Sequence, residues 1–534
     1  MGSQRHGGEG GLKPIPLTYC PDLDTDWRTN PGALTSVINL APSQSDAFLT
    51  SGEVLGSSSL TANGCNLNAY IFQKVDGTYR LLTFGTDNID EYDASWTRTN
   101  RATGFGTLAS TAHWQAAAQG NAIIAVNYAT ASQVSTGAGF AALGGGSPKA
   151  QCVCANATFV MMANYDDGVN QYKDGWWCSA IGNYASWTVS ASTQATSGRL
   201  LDAPGPITAL IAYKSSIIAF KENSMFIGEY VGPSVVWAWS MLSNRVGCVG
   251  PNAVIEAGGR LFFAHSSGFY MFDGSSMPVN IGYPVWKSFL SVFGYANTYT
   301  TTDRITVGQV LTPVTLGDVN TSADDYENIV WFSHRGILSS KNRVLDYGYN
   351  YITNKWGRLR RFANGGSTGR NFYARCSTAN LNGFFGTTDS RGLFIDSQNT
   401  ASYHLYYPYV STNYSGGALT GMDFSEFTTG PIGDESGSTT INRVTVVQDS
   451  GGDAFIATSG ASTVTTYNTS AMTSSVSTSA GTLNTTSDCF DHHANGKFHQ
   501  ISVDWYSAGE GATPNAVKGK IRGLAVDIEK HARP

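Results

Sequence analysis

Residues 209–230, ALIAYKSSIIAFKENSMFIGEY, and residues 253–274, AVIEAGGRLFFAHSSGFYMFDG, are two versions of one unit. Laid over one another without a gap, they match Ile211 with Ile255, Ile217 with Leu261, Ile218 with Phe262 and Phe226 with Tyr270. Each unit is three short apolar runs separated by Ser, Gly or Asn. Runs of this length, punctuated by turn formers, read as strands. A repeat of about 40–50 residues made of short strands is the signature of a β-propeller blade.

The same texture extends on both sides. Ala69-Tyr70-Ile71-Phe72 faces Tyr79-Arg80-Leu81-Leu82 across Val75-Asp76-Gly77-Thr78, a strong hairpin signal. Ile123-Ile124-Ala125-Val126 and Phe159-Val160-Met161-Met162 are the apolar centres of two further units. Tyr92-Asp93-Ala94-Ser95-Trp96 echoes Tyr184 to Trp187, and each Trp is expected to plug the space between blades. Ile329-Val330-Trp331-Phe332 begins another unit, which ends at Tyr349 to Trp356; Gly383 to Gly386 and Gly392 to Ile395 continue the series. The expected fold is all-β: a β-propeller of about six blades over 65–400, five or seven remaining open. An N-terminal extended segment with platform strands covers 1–64. The Thr/Ser/Gly-rich 401–534 is expected to form an additional β-rich platform or tip domain, which the lead-in completes in space.

Composition agrees. The 534 residues are 41% hydrophobic and 12% aromatic, with 60 glycines, and only 13% are charged. The net charge of −6 argues against a protein that coats DNA. No run approaches the roughly 18 apolar residues of a membrane span. The start, MGSQRHGGEGG, lacks the apolar stretch of a secretory signal. The eight scattered cysteines are expected to be free buried thiols of a reducing compartment.

Candidate chemistry is sparse, and no cofactor or metal is expected. Asp22-Leu23-Asp24-Thr25-Asp26 opens like a calcium loop, but Trp27 and Ala33 stand where Gly and Glu are needed. Cys489, His492, His493 and His499 crowd together without the spacing of a zinc module. Cys152-Val153-Cys154 is expected to turn its thiols to opposite faces of a strand. Asp166-Asp167 and Asp324-Asp325 are paired acids in polar turns. Phosphate-binding, dinucleotide and serine-hydrolase motifs are absent, as are the S-x-D-x-G-x-T-W boxes of propeller sialidases.

One electrostatic feature stands out. Lys341, Arg343, Lys355, Arg358, Arg360, Arg361, Arg370 and Arg375 are opposed between 340 and 375 only by Asp346, and aromatics are interleaved with them. A solvated face, an interface with an acidic protein and contact with DNA are all compatible with such a stretch. These eight residues are the partner- or DNA-contact candidates.

Several motifs in order carry a resemblance. Gly228-Glu229-Tyr230-Val231-Gly232-Pro233, Trp237-Ala238-Trp239-Ser240, Val246-Gly247-Cys248-Val249-Gly250-Pro251 and Gly259 to Phe263 resemble the central region of short-tailed bacteriophage tail hub, or tail nozzle, proteins. This is the packaged-DNA stabilisation protein family. Ser179–Trp187, Trp331 to Trp356, Gly430 to Asp434 and Gly496 to His499 fit the same order, so the resemblance runs from about residue 12 to the end. It implies a non-enzymatic virion protein assembled in the host cytoplasm. It also implies a homo-hexamer below the portal and adaptor proteins, docking tail fibres or spikes. The ring would line and gate the DNA-ejection channel, through which genomic double-stranded DNA passes with weak, non-specific contacts. The rival readings are a virion-displayed propeller glycan hydrolase or depolymerase, and a propeller adhesion module.

Overall fold

The computed structural model describes residues 15–44, 47–50, 52–60, 66–95, 97–106, 108, 113–275, 277–292, 319–324, 327–334, 343–362, 371–373, 384, 392–396, 401–407, 425–448, 460–484, 489–505 and 520–531. Among them, seven four-stranded antiparallel blades follow in chain order. The first comprises Asn66–Gln73, Tyr79–Gly85, Asn88–Tyr92 and Arg98–Thr103. The second and third run from Gln115 to Ala142 and from Lys149 to Arg199. The repeat at 209–230 and 253–274 supplies the fourth and fifth. They are Ile207–Tyr213, Ser216–Lys221, Met225–Gly232 and Val236–Ser243, then Val254–Ala257, Arg260–His265, Gly268–Phe272 and Val279–Asn280.

The sixth blade is Val319–Asp324, Ile329–His334, Arg343–Asn350 and Lys355–Phe362. The seventh takes Asn371–Tyr373, Gly392–Asp396 and Ala401–Tyr407 from one end of the propeller region, and Gly52–Leu60 from the other. Successive first strands touch one another from blade one to blade seven, and the seventh blade meets Asn66–Gln73 of the first. The ring is therefore closed by strand pairing between distant segments, and its blade number is one above the expected six.

Alternation explains the continuous apolar runs. The second strand of each inner blade is sandwiched between neighbouring blades, so both of its faces are buried. Ile123 and Ala125 pack with Tyr70, Phe84 and Trp114 toward the first blade; Ile124 and Val126 pack with Val153, Val160 and Trp187 toward the third. Met161 joins Cys152, Cys154 and Trp237 on the far side. Trp187 thus fills the gap between the second and third blades, as expected; Trp96 lies outside the described residues. The expectation for Cys152 and Cys154 was wrong. Side chains two apart on a strand share a face, and both thiols lie in one core layer while Val153 faces the other. Cys20, Cys178, Cys248 and Cys489 are likewise buried as thiols, outside any disulfide.

The lead-in and the chain's end build the platform together. One sheet orders Thr18–Tyr19, Ala33–Ile38, Ser425–Thr429, Phe498–Trp505, Gly460–Tyr467 and Ser475–Ala480. The other begins inside the propeller. From Lys355–Phe362 it continues through Leu40–Pro42, Phe48–Thr50, Lys520–His531, Ser438–Gln448 and Cys489–Gly496 to Thr482–Asn484. Leu34, Val37, Phe427, Ile441, Phe490 and Ile501 share one buried cluster with Phe220, Phe263, Phe332 and Trp356 of blades four to six. No solvent layer separates propeller from platform. No helix among the described residues is long and apolar enough to cross a membrane.

Candidate functional site

The axis of a propeller is its natural concave site, and here the chain itself occupies one end of it. Gly247 to Asn252 leads from the fourth blade into the fifth. A Cβ on Gly247 would stand 1.9 Å from the Lys221 carbonyl oxygen, so only glycine permits this close approach. The segment is anchored by the Cys248 amide on the Lys221 carbonyl at 3.0 Å, the Val249 amide on the Ala264 carbonyl at 3.0 Å and the Thr208 hydroxyl on the Cys248 carbonyl at 2.6 Å.

Beyond those anchors it reaches across the ring. Gln115 of the second blade donates through Nε2 to the Pro251 carbonyl at 3.0 Å and accepts the Val153 amide of the third blade at 2.7 Å. Tyr70 of the first blade lies 3.0 Å from both the Trp114 carbonyl and Asn252 Oδ1. Thr321 of the sixth blade donates its amide and hydroxyl to the Asn252 carbonyl at 3.1 and 3.0 Å. Blades one, two and three do not adjoin blade five in a seven-membered ring, so these bonds span the axis. Asn252 is 1% exposed and Gln115 3%. Buried amides satisfied this completely make a stiff plug. Sequence reasoning noticed the Val-Gly-Cys-Val-Gly-Pro run as a motif but had no signal for its partners.

The predicted basic stretch sits at the seam between propeller and platform. Lys355 is buried and donates Nζ to the Leu17 carbonyl at 2.9 Å. Arg358 donates Nε to the Val37 carbonyl at 2.7 Å and Nη2 to Ser36 Oγ at 2.9 Å, and its guanidinium lies 5.6 Å from the Tyr19 ring centroid. Burial pushes the Tyr19 and Tyr347 hydroxyls upward, so both rings beside this cation stay neutral. Neither Lys355 nor Arg358 offers its charge to an outside partner. Their strand is the one on which the platform sheet grows, and these two cations are met by carbonyls of the lead-in. Arg343, Arg360 and Arg361 lie on the described strands Arg343–Asn350 and Lys355–Phe362. Lys341, Arg370 and Arg375 lie outside the described residues.

The other candidates are structural. Asp22 accepts the Lys287 amide at 2.5 Å, the Ser288 amide at 3.1 Å and the Ser288 hydroxyl at 2.9 Å, capping the helix Trp286–Val292 from a distant segment. Burial raises its carboxyl pKa against the pull of those bonds. Asp24 and Asp26 hold the following turn through Thr29 and Arg28. His499 meets the Thr439 hydroxyl at 2.8 Å and His492 the Ser462 hydroxyl at 3.0 Å, whereas His493 is exposed, so the imidazoles do not converge. Asp166 and Asp167 accept amides of Gly168, Val169 and Asn170 in one turn. Asp325 lies outside the described residues.

A cavity of about 480 Å³ opens on the first blade, lined by Tyr79, Glu91, Asp93, Thr99 and Arg101 among others. Of its two carboxylates, Glu91 is committed to guanidiniums and Asp93 accepts the Ser95 and Thr97 amides. Glu91 binds Arg80 through two bonds of 2.8 and 2.9 Å and Arg101 at 2.5 Å. Burial pushes the Glu91 pKa up, but the two guanidiniums outweigh burial and hold it below the usual range. An acid kept ionised is a poor proton donor for glycoside cleavage.

Two buried cationic or titratable groups were illegible in the sequence. Lys221 donates to the Leu200 and Ala203 carbonyls, each at 2.6 Å, tying the connection from the third blade to the fourth blade. His265 lies 2.8 Å from Ser267 Oγ and 3.2 Å from Asn223 Oδ1, and burial lowers its pKa to about 4. A folded-state pKa below the unfolded value stabilises the fold above the unfolded value. That stability is lost as pH falls from 6.5 toward about 4. The urea midpoint is expected to drop across that window, and His265→Gln to flatten the slope; an unchanged slope in the variant would assign the acid sensitivity elsewhere.

No family model matches the chain, and no curated protein matches it. Solved structures do. A YCF48 structure bound to D1 peptide is 12% identical, covering 68% of this chain and 97% of its own, with a TM-score of 0.36. A streptogramin B lyase is 10% identical, covering 66% and 97%, with a TM-score of 0.40. Virginiamycin B lyase from Staphylococcus aureus is 8% identical, covering 67% and 99%, with a TM-score of 0.38. Likeness at this level concerns the fold alone. A β-propeller does not by itself choose a function. The chain is a β-propeller protein whose propeller and β-platform share one sheet.

Proposed function

We propose that this chain is a structural, non-enzymatic subunit of a short-tailed bacteriophage tail nozzle. It forms a homo-hexameric ring in the virion below portal and adaptor proteins, and tail fibres or spikes dock on that ring. The observation that carries the reading is the plugged axis together with the continuous sheet from the sixth blade into the platform. A propeller that fills its own axial site with buried amides is suited to be a wall. In this reading DNA passes between copies of the chain, not through a propeller.

The acidic net charge of −6 favours sliding, because few phosphate contacts are made. Quantitative mass spectrometry of purified particles is expected to find this chain in a hexameric complement, with cryo-electron microscopy density below the portal. Cleavage of host polysaccharide by the purified chain, lost on Glu91→Gln, would overturn the reading in favour of a glycan depolymerase. Envelope binding by a monomer that no particle contains would favour an adhesion module.

A further inference from the structure

The cavity on the first blade has a chemistry for which a channel wall has no use. It opens between two hairpins of one blade. One joins Asn66–Gln73 to Tyr79–Gly85, and the other joins Asn88–Tyr92 to Arg98–Thr103. Its volume of about 480 Å³ falls within the range of small-molecule sites, about 300–1,000 Å³.

One wall is built from charge. The seam between the second and third blades is closed by Ile124, Val126, Val153 and Trp187, all apolar. The seam between the first and second blades adds to its apolar layer an ion network. Arg80 and Glu91 have side chains only 5% and 15% exposed. Arg80 binds both Glu91 oxygens and reaches Ser135 Oγ of the second blade at 2.9 Å. Glu91 in turn holds Arg101 Nε at 2.5 Å, and the Arg101 carbonyl accepts the Phe140 amide at 3.1 Å. Taking such charges out of water is costly, and apolar side chains close the neighbouring seam without that cost. What the network adds is an oriented guanidinium at the cavity wall, locked from behind by groups that never face the cavity's mouth.

The groups left over at the cavity are specific. Arg101 Nη1 and Nη2 have no acceptor among the described residues. Asp93 holds the Ser95 and Thr97 amides through Oδ1 alone, at 2.9 and 2.8 Å, so its Oδ2 has no donor among them. Thr97 and Thr99 place two further hydroxyls in the lining, and Tyr79 and Phe384 place rings there. Two arginines balance two carboxylates, so the site carries no net charge.

We propose that this cavity is a non-catalytic binding site for a neutral oligosaccharide. A sugar hydroxyl both donates and accepts, so neighbouring hydroxyls can accept from the Arg101 fork while donating to Asp93 Oδ2. Thr97 and Thr99 extend the same pattern, and a sugar ring can lay its C–H face on Tyr79. An anionic ligand would meet Asp93, and a cationic one would meet Arg101, so neither sign of charge is favoured. A peptide strand would need a free sheet edge with side-chain pockets, and these lining groups are forks and hydroxyls instead. The site holds and does not cleave, since Glu91 is kept ionised by its two guanidiniums. The proposal does not rest on the virion assignment.

The test uses the purified full chain on an array of neutral and sialylated oligosaccharides, followed by calorimetric titration of the best-bound glycan. Binding of a neutral glycan, little changed by salt and without release of shorter products, is expected. Arg101→Lys keeps a cation beside Glu91 but loses the fork. Asp93→Asn keeps Oδ1 for the turn amides but loses the anionic oxygen. Thr99→Trp fills the cavity from an exposed position. Each should weaken binding about tenfold or more, and the last two should leave melting unchanged. No neutral glycan bound up to about 10 mM, preference for sialylated glycans, or wild-type binding by all three variants would overturn the site. Cleavage of the bound glycan would overturn its non-catalytic character. Particle composition is measured separately and decides only the nozzle assignment.

Discussion

Arg358→Glu separates the unfolding of the propeller from that of the platform and lowers stability by about 3–5 kcal/mol. The guanidinium is the point at which three elements meet. It sits on the outer strand of the sixth blade, where Arg358 pairs with Leu40. It also donates to Val37 and Ser36 of the lead-in and lies over Tyr19. A carboxylate there faces the Val37 carbonyl across a former hydrogen bond, acceptor against acceptor. Arg358→Met keeps the packed stem and loses only the donors, so it should cost about 1–3 kcal/mol. Urea denaturation followed by tryptophan fluorescence, with Trp356 buried at the same seam, reads both variants. A single transition at the wild-type midpoint for the glutamate variant would remove Arg358 from this role.

Trp187→Ala is the second large effect, expected at about 3–5 kcal/mol. The indole is wholly buried among Ile124, Val126, Val153, Val160 and Met162, between the second and third blades. Its Nε1 donates to the Tyr184 carbonyl at 2.7 Å, its carbonyl accepts Trp177 Nε1 at 3.0 Å, and its amide reaches the Gly145 carbonyl at 3.1 Å. Truncation leaves a cavity that two rigid sheets cannot close, and it strips the Tyr184 carbonyl of a donor. Hydrogen exchange should speed up in 122–126 and 149–166 while the fifth blade stays protected. Uniform exchange across the ring would mean that the blades do not unfold as neighbours.

Much of the propeller was legible because its second strands are buried on both faces. Ile123–Val126, Phe159–Met162, Ile217–Phe220 and Leu261–Ala264 therefore read as unbroken apolar runs, each bounded by turn residues. The seventh blade was only partly legible: Gly392 to Ile395 read as a continuation of the series, but the strand that closes the blade did not. It borrows Gly52–Leu60 from the chain's start, and no local pattern marks a strand whose partner, Ala401–Tyr407, lies so far away. The first strand of the sixth blade, Val319–Asp324, is too polar to announce itself.

The candidate site was less legible than the fold. Lys355 and Arg358 read as part of a basic surface because sequence shows charge and not direction, and their acceptors on Leu17 and Val37 belong to a segment over three hundred residues away. Asp22 read as the start of an incomplete calcium loop, although it caps a helix from another part of the chain.

By itself, then, the sequence determined the blades: strand length, alternation and turn placement are local properties, set by which side chains recur at which spacing. Only the tertiary structure decided that the ring closes at seven, that Gln115 and Asn252 seal its axis, and that the sixth blade continues into the platform. Each of those depends on backbone groups brought together from distant segments. Such groups are chemically identical at every residue, and only the folded chain determines which of them meet.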